Sequence, residues 1–356
     1  MRIAVTGANG FLGWHLKCAN KALYNHEIVE LVQPYNLEGR EFGRTNAVIH
    51  LASRMRGSEI EITKSNHDLT NQLLMGLEKL TPGIFVHANS IHSGNNSAFG
   101  QSKAEMSQRI SQKCQELGWK YFDVKFPNIF GERARPLHNS FIATVIASLQ
   151  KNKTYEVLDN PIELVSAHEA VKYLLDLCTN ESVKDFESEK TTVGEVIEIL
   201  ELFHATYRND FIPELEDLFR LKLFNAYRFN MGARYVNLSS RTDPRGRLVE
   251  LANFHGSSNT VFASETNPGF SRGHHFHIDK FERFIILSGS GVIEVEELFS
   301  KKTFKFAVGG HNTCAIDIPT LSAHKLINTG SDNLIGIFMA VPKFDPDMAD
   351  TYQVKF

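Results

Sequence analysis

The sequence predicts an α/β domain built on a parallel sheet, followed by an all-β domain, and three observations carry that expectation. At 356 residues the chain exceeds what one hydrophobic core usually serves and suits two domains. From Met1 to about Asn180, short apolar runs alternate with helical stretches, which is the pattern of βαβ units and a parallel sheet. After about Met231 the texture changes to short β-prone runs separated by Gly, Asn, Asp and Pro, as in a sandwich or barrel. The boundary falls near residue 235, giving domains 1–235 and 236–356.

In the first domain the strand candidates are residues 2–6, 27–32, 47–50, 83–88 and 121–125. Residues 101–116 read as a helix because Lys103, Met106 and Ile110 fall near helical spacing. The stretch 192–227 also reads as helical, with apolar side chains at Val196, Ile197, Ile199, Leu200 and Phe203. In the second domain the strand candidates are 262–264, 284–287, 291–295, 304–307, 315–318 and 334–339.

The formal net charge of −3 leaves no basic stripe for a polyanion, so no nucleic-acid partner is expected. Cys18, Cys114, Cys178 and Cys314 are far apart and form no CxxC pair, which suits reduced thiols in a cytoplasmic protein. The first strand starts almost at Met1, leaving no room for a signal peptide, and no apolar run is long enough for a bilayer. A cytoplasmic location with no membrane partner is the expectation.

Thr6-Gly7-Ala8-Asn9-Gly10-Phe11-Leu12-Gly13 follows the first strand and opens a helix. Glycines at these spacings permit a tight turn, close approach of a pyrophosphate and close helix–strand packing. The helix N-terminus then offers free N–H groups and a positive dipole end to phosphates. An acidic residue at the end of the second strand would favour NAD, but the chain there reads Gln33-Pro34. Arg44, Arg54 or Arg56 could instead meet a 2′-phosphate, so NADP or NAD both stay open.

These residues, with His50-Leu51-Ala52, Asn66 and Pro127-Asn128-Ile129-Phe130-Gly131, resemble the nucleotide-sugar branch of the extended short-chain dehydrogenase/reductase family. The resemblance implies a Rossmann-type domain whose cofactor lies on Gly7, Gly10, Phe11, Leu12, Gly13, His50, Leu51, Ala52, Lys103, Pro127 and Asn128. It also implies a catalytic Ser…Tyr-x-x-x-Lys set, in which the tyrosine gives a proton to the substrate oxygen. Ser90 and Lys103 match that set, but the tyrosine position is Phe99, which has no acidic proton. Three readings stay open: the domain is a cofactor-binding scaffold, His92 in the same loop supplies the proton, or water does so slowly.

In the second domain, His275 and His277 alternate along a strand and so share a face. Glu282 follows, then Gly289, and Pro319–Asn328 contributes His324. Three imidazoles and a carboxylate inside a β-barrel suit a divalent first-row metal. His274 alternates to the other face and is left out. The two segments resemble the paired motifs of the cupin family, a double-stranded β-helix or jelly-roll, with Leu321 where a turn glycine is usual. That resemblance implies His275, His277, Glu282 and His324 as ligands, with zinc the expected ion. Upstream, Asp243-Pro244-Arg245-Gly246-Arg247-Leu248-Val249-Glu250 resembles a segment of sugar-nucleotide epimerase cupins. Arg245 and Arg272 could hold a pyrophosphate or keto-sugar oxygens, and Asp243 and Glu250 are candidates for the base.

As a whole, from TGANGFLG through KFPNIFG and RGHHFH onward, the chain resembles the bifunctional capsular polysaccharide synthesis enzymes of the CapF type. The resemblance implies that the cupin epimerises C3 of a UDP-4-keto-6-deoxy-N-acetylhexosamine, that the N-terminal domain reduces the C4 ketone with NADPH, and that the protein is a homodimer.

Overall fold

The computed structural model describes residues 1–32, 45–138, 140–155, 158–179, 183–256, 259–342 and 349–355. It resolves into two compact units, one of Met1–Glu201 with Glu216–Gly232 and one of Leu202–Leu215 with Ala233–Phe356.

The first unit is built on five parallel strands: β1 (Arg2–Thr6), β2 (Glu27–Leu31), β3 (Ala47–His50), β4 (Ile84–Ser90) and β5 (Lys120–Phe126), ordered β2-β1-β3-β4-β5. Both sheet faces are covered, which is why these strands read as nearly continuous apolar runs. Ile3, Val5, Ile49 and Val86 pack on one side with α1 (Phe11–Ala19) and α5 (Ala167–Thr179). Ala4, Val48 and Phe85 pack on the other with α2 (Glu59–Leu77) and α3 (Ala98–Leu117). α2 begins on a reciprocal Ser58–Glu61 capping box, and α3 runs from a Ser97 cap to Gly118 in the left-handed conformation. A smaller sheet joins β6 (Asn128–Phe130), β7 (Pro161–Ser166) and β8 (Glu189–Thr192), with α4 (Phe141–Gln150) between its first two strands.

The expected helix over 192–227 is in fact two, α6 (Val193–Tyr207) and α7 (Leu218–Phe229). Between them Asp210 takes a left-handed φ of 64°, and β9 (Phe211–Ile212) pairs with a strand of the second unit's sheet. Pro213 cannot donate to a helix, and Asp217 restarts one by capping Arg220 N at 2.7 Å. Arg234 holds the break by bonding the Tyr207 carbonyl and the Asp210 carboxylate.

The second unit continues with β10 (Ser240–Asp243), β11 (Gly246–Phe254), β12 (Thr260–Thr266), β13 (Ser271–Phe276), β14 (Phe281–Ser288) and β15 (Ser290–Glu297). It ends with β16 (Thr303–Gly309), β17 (Ala315–Ile318), β18 (Ser322–Asn328), β19 (Leu334–Val341) and β20 (Tyr352–Gln353). These form two sheets, β10-β11-β12-β19-β14-β17 and β16-β15-β18-β13-β20, antiparallel except where β9 joins β11. Phe284, Ile286 and Phe338 from the first sheet meet Ile293, Val295 and Leu326 from the second in one core. Their alternation with outward residues is the period-two pattern of a half-buried strand. The α/β domain with a parallel sheet and the all-β domain after it are both present as expected. No helix among the described residues is long and apolar enough to cross a membrane.

Candidate cofactor and metal sites

At the carboxyl ends of β1 and β3 the backbone is packed too closely for side chains. Gly7 has φ +69°, and a Cβ there would lie 2.9 Å from Ala52 N; one at Gly13 would lie 2.4 Å from the Ala8 carbonyl. Gly10 N donates to Gly7 O at 2.9 Å, and Gly10 caps α1 with no side-chain bond. The first-turn N–H groups at Phe11, Leu12 and Gly13 are thus available to an anion. Thr6 ties this turn to the next strand. Its Oγ1 lies 2.6 Å from His50 Nδ1 and accepts from Leu51 N and Ala52 N at 3.2 and 3.3 Å.

The His50 ring, expected beside the cofactor, is fully buried and has Met106 Sδ at 3.3 Å on its other nitrogen. It acts on the loop through Thr6; the Leu51–Ala52 backbone is what borders Gly7. Asn66, buried on α2, grips the loop beyond by accepting from Arg54 N at 2.7 Å and donating to Arg54 O at 3.0 Å. Arg54 is exposed, with Glu61 at 3.5 Å and its Nε on the Arg56 carbonyl at 3.0 Å. Arg44 and the Gln33-Pro34 step lie outside the described residues. Pro127 is buried, and Asn128 Nδ2 reaches Glu163 O at 3.4 Å.

Ser90 ends β4, where its hydroxyl accepts from His92 N at 3.2 Å; Phe99 is half-buried in the first turn of α3, and His92 is exposed. Lys103, one turn on from Phe99, is only 4% exposed and faces inward. Its ammonium donates to Ala88 O at 2.8 Å and lies 3.5 Å from His87 Nε2, whose Nδ1 is 3.2 Å from Asp123 Oδ1. Asn89 donates to both Asp123 oxygens at 2.9 and 3.0 Å. Burial pulls Lys103 down to about 8 against the opposing charge of Asp123, and burial, with Lys103 beside it, pulls His87 to about 4. A cleft lined by Phe122, Asp123, Glu163, Tyr173, Asp185 and Phe186 adjoins β5 and touches none of the residues singled out from sequence.

In the second unit His275, His277, Glu282 and His324 converge, with one ligand atom of each lying within 4.8 Å of the others. Glu282 Oε2 is 3.2 Å from His277 Nε2 and 3.1 Å from His324 Nε2. Apart from these ion-pair contacts, all three atoms are buried with no hydrogen-bond partner among the described residues. The four ligand atoms are close enough together to share one ion. Such an ion would satisfy donors that are otherwise orphaned, so the residues fit a divalent metal.

Burial, reinforced by His324, brings His275 down to about 4, so it is a neutral ligand at pH 7. Burial also opposes a charge on His277, but Glu282 and the Asp350 carbonyl outweigh it and the net shift is upward. Glu282 is driven the other way from its burial: the adjacent His277 and His324 rings hold its carboxyl well below the carboxylate range. Leu321, at the turn where glycine is usual, takes φ +57° and donates its N–H to His277 O at 2.8 Å. The loop keeps a glycine-like backbone despite its side chain.

β13 carries a bulge. Gly273 pairs with Lys325 and His275 with His324, so His274, at φ 65°, is the extra residue. Arg272 pairs with Leu326, an interior residue two positions from His324. Paired residues project to one face, so the bulge brings Arg272 onto the face of His275, which strict alternation would forbid. His274 is set aside, with its Nε2 2.8 Å from the Ser271 hydroxyl.

Arg272 Nε donates to Thr266 Oγ1 at 3.2 Å, and its Nη2 lies 3.7 Å from Asp243. Asp243 also accepts from Arg245 Nη2 at 2.6 Å and Nε at 3.1 Å. Those Arg245 bonds, with the Arg272 charge behind them, hold Asp243 below its ordinary value, which suits an anchor for two guanidiniums better than a proton acceptor. Glu250 is half-buried on β11 with Asn253 Nδ2 at 3.4 Å. Sequence reasoning missed His87, Asp123, the β13 bulge and Asp350. Local sequence offers no signal for His87, Asp123 or Asp350, and only Gly273 beside His274 hints at a bulge.

Comparison with known proteins agrees with this architecture. Residues 241–352 match the polysaccharide biosynthesis C-terminal domain family. A UDP-2-acetamido-2,6-beta-L-arabino-hexul-4-ose reductase of Pseudomonas aeruginosa is 24% identical, covering 99% of this chain and 98% of its own. The crystal structure of the capsular polysaccharide assembling protein CapF from Staphylococcus aureus superposes with a TM-score of 0.88 at 25% identity, covering all of both chains. A UDP-N-acetylglucosamine 4-epimerase from Bacillus cereus shares the fold over 67% of this chain and 99% of its own, with a TM-score of 0.54 at 17% identity. The resemblance read from the sequence therefore holds over the full length: the chain is a homologue of a UDP-sugar reductase and a close structural match to CapF.

Two outcomes are expected from these sites. Folding takes Lys103 from 10.5 to about 8, so between those values the unfolded chain binds a proton the folded chain has released, and stability rises with pH. The unfolding free energy of the wild type minus that of Lys103→Met should climb across that window by at most about 3 kcal/mol; a flat difference would show an ordinary amine. His275→Ala removes one of four candidate ligands, so after loading with Zn(II) and gel filtration it should retain less metal than the wild type by elemental analysis; equal retention would refute the ligand assignment.

Proposed function

We propose that this chain modifies a nucleotide-linked keto sugar for capsular or surface polysaccharide synthesis. In this reading the C-terminal cupin site epimerises C3 of a UDP-4-keto-6-deoxy-N-acetylhexosamine, and the N-terminal domain holds NADP or NAD and reduces the C4 ketone. The observation that carries the reading is the group of His275 with the buried His277, Glu282 and His324, with Arg272 on its face. The Pseudomonas aeruginosa relative, a UDP-2-acetamido-2,6-beta-L-arabino-hexul-4-ose reductase, suggests the substrate class. A cytoplasmic homodimer with no nucleic-acid or membrane partner belongs to the same reading.

When bound, a divalent ion supplies Lewis acidity and a nicotinamide supplies hydride. The chain's own residues do the rest. Taking a proton from the carbon beside a ketone puts negative charge on the ketone oxygen, and a fixed cationic donor lowers that cost. Arg272 is assigned to this charge, because Thr266 and Asp243 fix its guanidinium and spare it reorganisation. Arg245, exposed and paired with Asp243, is assigned to the diphosphate. In the N-terminal domain the Gly7–Gly13 turn and the start of α1 hold the cofactor's diphosphate, and Ser90 is the group available to bond the substrate ketone.

Phe99 favours a second reading in which the N-terminal domain binds cofactor without turning over. Loss of a general acid typically costs about 10²–10⁴ in rate, and Lys103 is bonded to Ala88 and His87 in the buried interior.

An NMR time course in D₂O with NADPH and the UDP-4-keto-6-deoxy-N-acetylhexosamine tests both readings. Deuterium should appear beside the ketone; no incorporation would sink the epimerase assignment. NADPH should be consumed at a rate that Phe99→Tyr raises by about tenfold or more. NADPH left intact by the wild type and by Phe99→Tyr alike would leave the scaffold reading in place of reduction.

A further inference from the structure

The reading of His275, His277, Glu282 and His324 as a metal site leaves open what holds its ligands in place. We propose that Asp350 is a positioning residue of that site, locking His277 in the tautomer and orientation that present Nε2 to the ion. The inference rests on the metal reading and goes beyond it to a residue outside both histidine segments.

Asp350 makes four contacts with the stretch joining two ligands. Its main-chain carbonyl is bonded to His277 Nδ1. Its Oδ1 accepts from Ile278 N at 2.9 Å, and its Oδ2 accepts from Asp279 N and Lys280 N, each at 2.8 Å. Those three N–H groups belong to the turn that leads from His277 into β14, which carries Glu282. One residue thus fixes the ring of one ligand and the approach to another.

The chemistry of the carbonyl sets the tautomer. A neutral imidazole has one N–H, and a carbonyl oxygen can only accept, so the proton resides on Nδ1 and the Nε2 lone pair is left free. That Nε2 is the buried, unpartnered atom pointing at the ligand cluster. Histidine ligands in metal sites generally donate their second nitrogen to such an acceptor, and losing the acceptor weakens metal binding about 10–100-fold. His324 follows the same pattern more weakly, with Nδ1 at 3.4 Å from Ser322 O.

The position of Asp350 is itself built. β20 pairs with β13, Gln353 opposite His275 and Tyr352 opposite Phe276, and Val354 N donates to His274 O at 3.0 Å. The Tyr352 and Phe276 rings stack at 5.2 Å. The end of the chain therefore lies along the strand that carries His275, which places Asp350 beside His277.

A turn-stabilising aspartate alone would lower the melting temperature and leave metal affinity intact, so affinity and tautomer are the deciding readouts. The full-length protein, stripped with a chelator, is titrated with Zn(II) against a chromophoric competitor. The wild type, Asp350→Ala and Asp350→Asn are compared, with circular dichroism as a fold check. Asp350→Ala keeps the carbonyl but frees it and the Ile278–Lys280 turn from the three side-chain bonds, so Zn(II) is expected to bind more weakly, by up to the roughly 10–100-fold that loss of the acceptor itself would cost. Asp350→Asn, which keeps one acceptor oxygen and the side chain's shape, should fall between it and the wild type.

In the ¹⁵N-imidazole spectrum of the zinc-loaded wild type, His277 should show a protonated Nδ1 and a metal-bound Nε2. Wild-type zinc binding with undiminished affinity in Asp350→Ala overturns the positioning role and leaves the metal site standing. Should Asp350→Ala fail to fold, undiminished affinity in Asp350→Asn overturns it equally. A wild type that binds no Zn(II) overturns the metal reading together with the role of Asp350.

Discussion

The C-terminal unit depends on polar atoms that an apolar core cannot leave unmet. His277 Nε2, Glu282 Oε2 and His324 Nε2 are all buried without a hydrogen-bond partner among the described residues. Each such atom costs about 1–3 kcal/mol when unsatisfied. The Glu282 contacts with His277 and His324 offset part of that cost, and a cation held by the same group would meet all three atoms at once. His275 faces His324 across β13 and β18, while Glu282 comes from β14 in the opposite sheet. The ligand group therefore spans the two sheets whose apolar residues form the shared core.

The N-terminal unit is organised by the opposite means, through the absence of side chains. Gly7 and Gly13 let the backbone of the first turn lie against Ala52 and Ala8 at distances no Cβ would allow. Thr6 then joins the tips of β1 and β3 through His50, Leu51 and Ala52. His50 is a structural strut in this arrangement. Its ring lies between Thr6 and Met106, so it relates strand tip to α3 without meeting solvent.

The parts of this protein that were legible in the sequence follow from short-range rules. Strand runs such as Ala47–His50 announce themselves because both faces of a parallel sheet are buried, and the HxH pair because alternate strand residues share a face. Features that depend on a partner distant in the chain were not legible. The break after Tyr207 is held by Arg234, which no local helical pattern could report. Arg272 was singled out, but its place on the ligand face comes from the His274 bulge, and bulges are settled by pairing with β18. His87 and Asp123 looked like ordinary members of strands until the sheet brought them beside Lys103.

Phe99 and Lys103 have to be considered together. The resemblance read from the sequence pairs Lys103 with a tyrosine that gives a proton to the substrate oxygen, and with Phe99 in that place Lys103 has no such partner. Lys103 is meanwhile committed to Ala88 O and set beside His87, which is linked to Asp123, so its charge is met inside the protein. The burial cost of the ammonium is large enough to bring its pKa to about 8, close to where a proton can be exchanged near neutral pH. The same geometry thus reads in two directions. If a substrate oxygen can approach Lys103, its lowered pKa makes the ammonium a competent acid, with His87 and Asp123 behind it. If none can, the amine is a strut like His50. Because an aromatic ring at 99 preserves the shape of the site while removing its proton, the loss of chemistry need not entail a loss of cofactor binding. The glycine turn, which depends on neither residue, would persist in both cases.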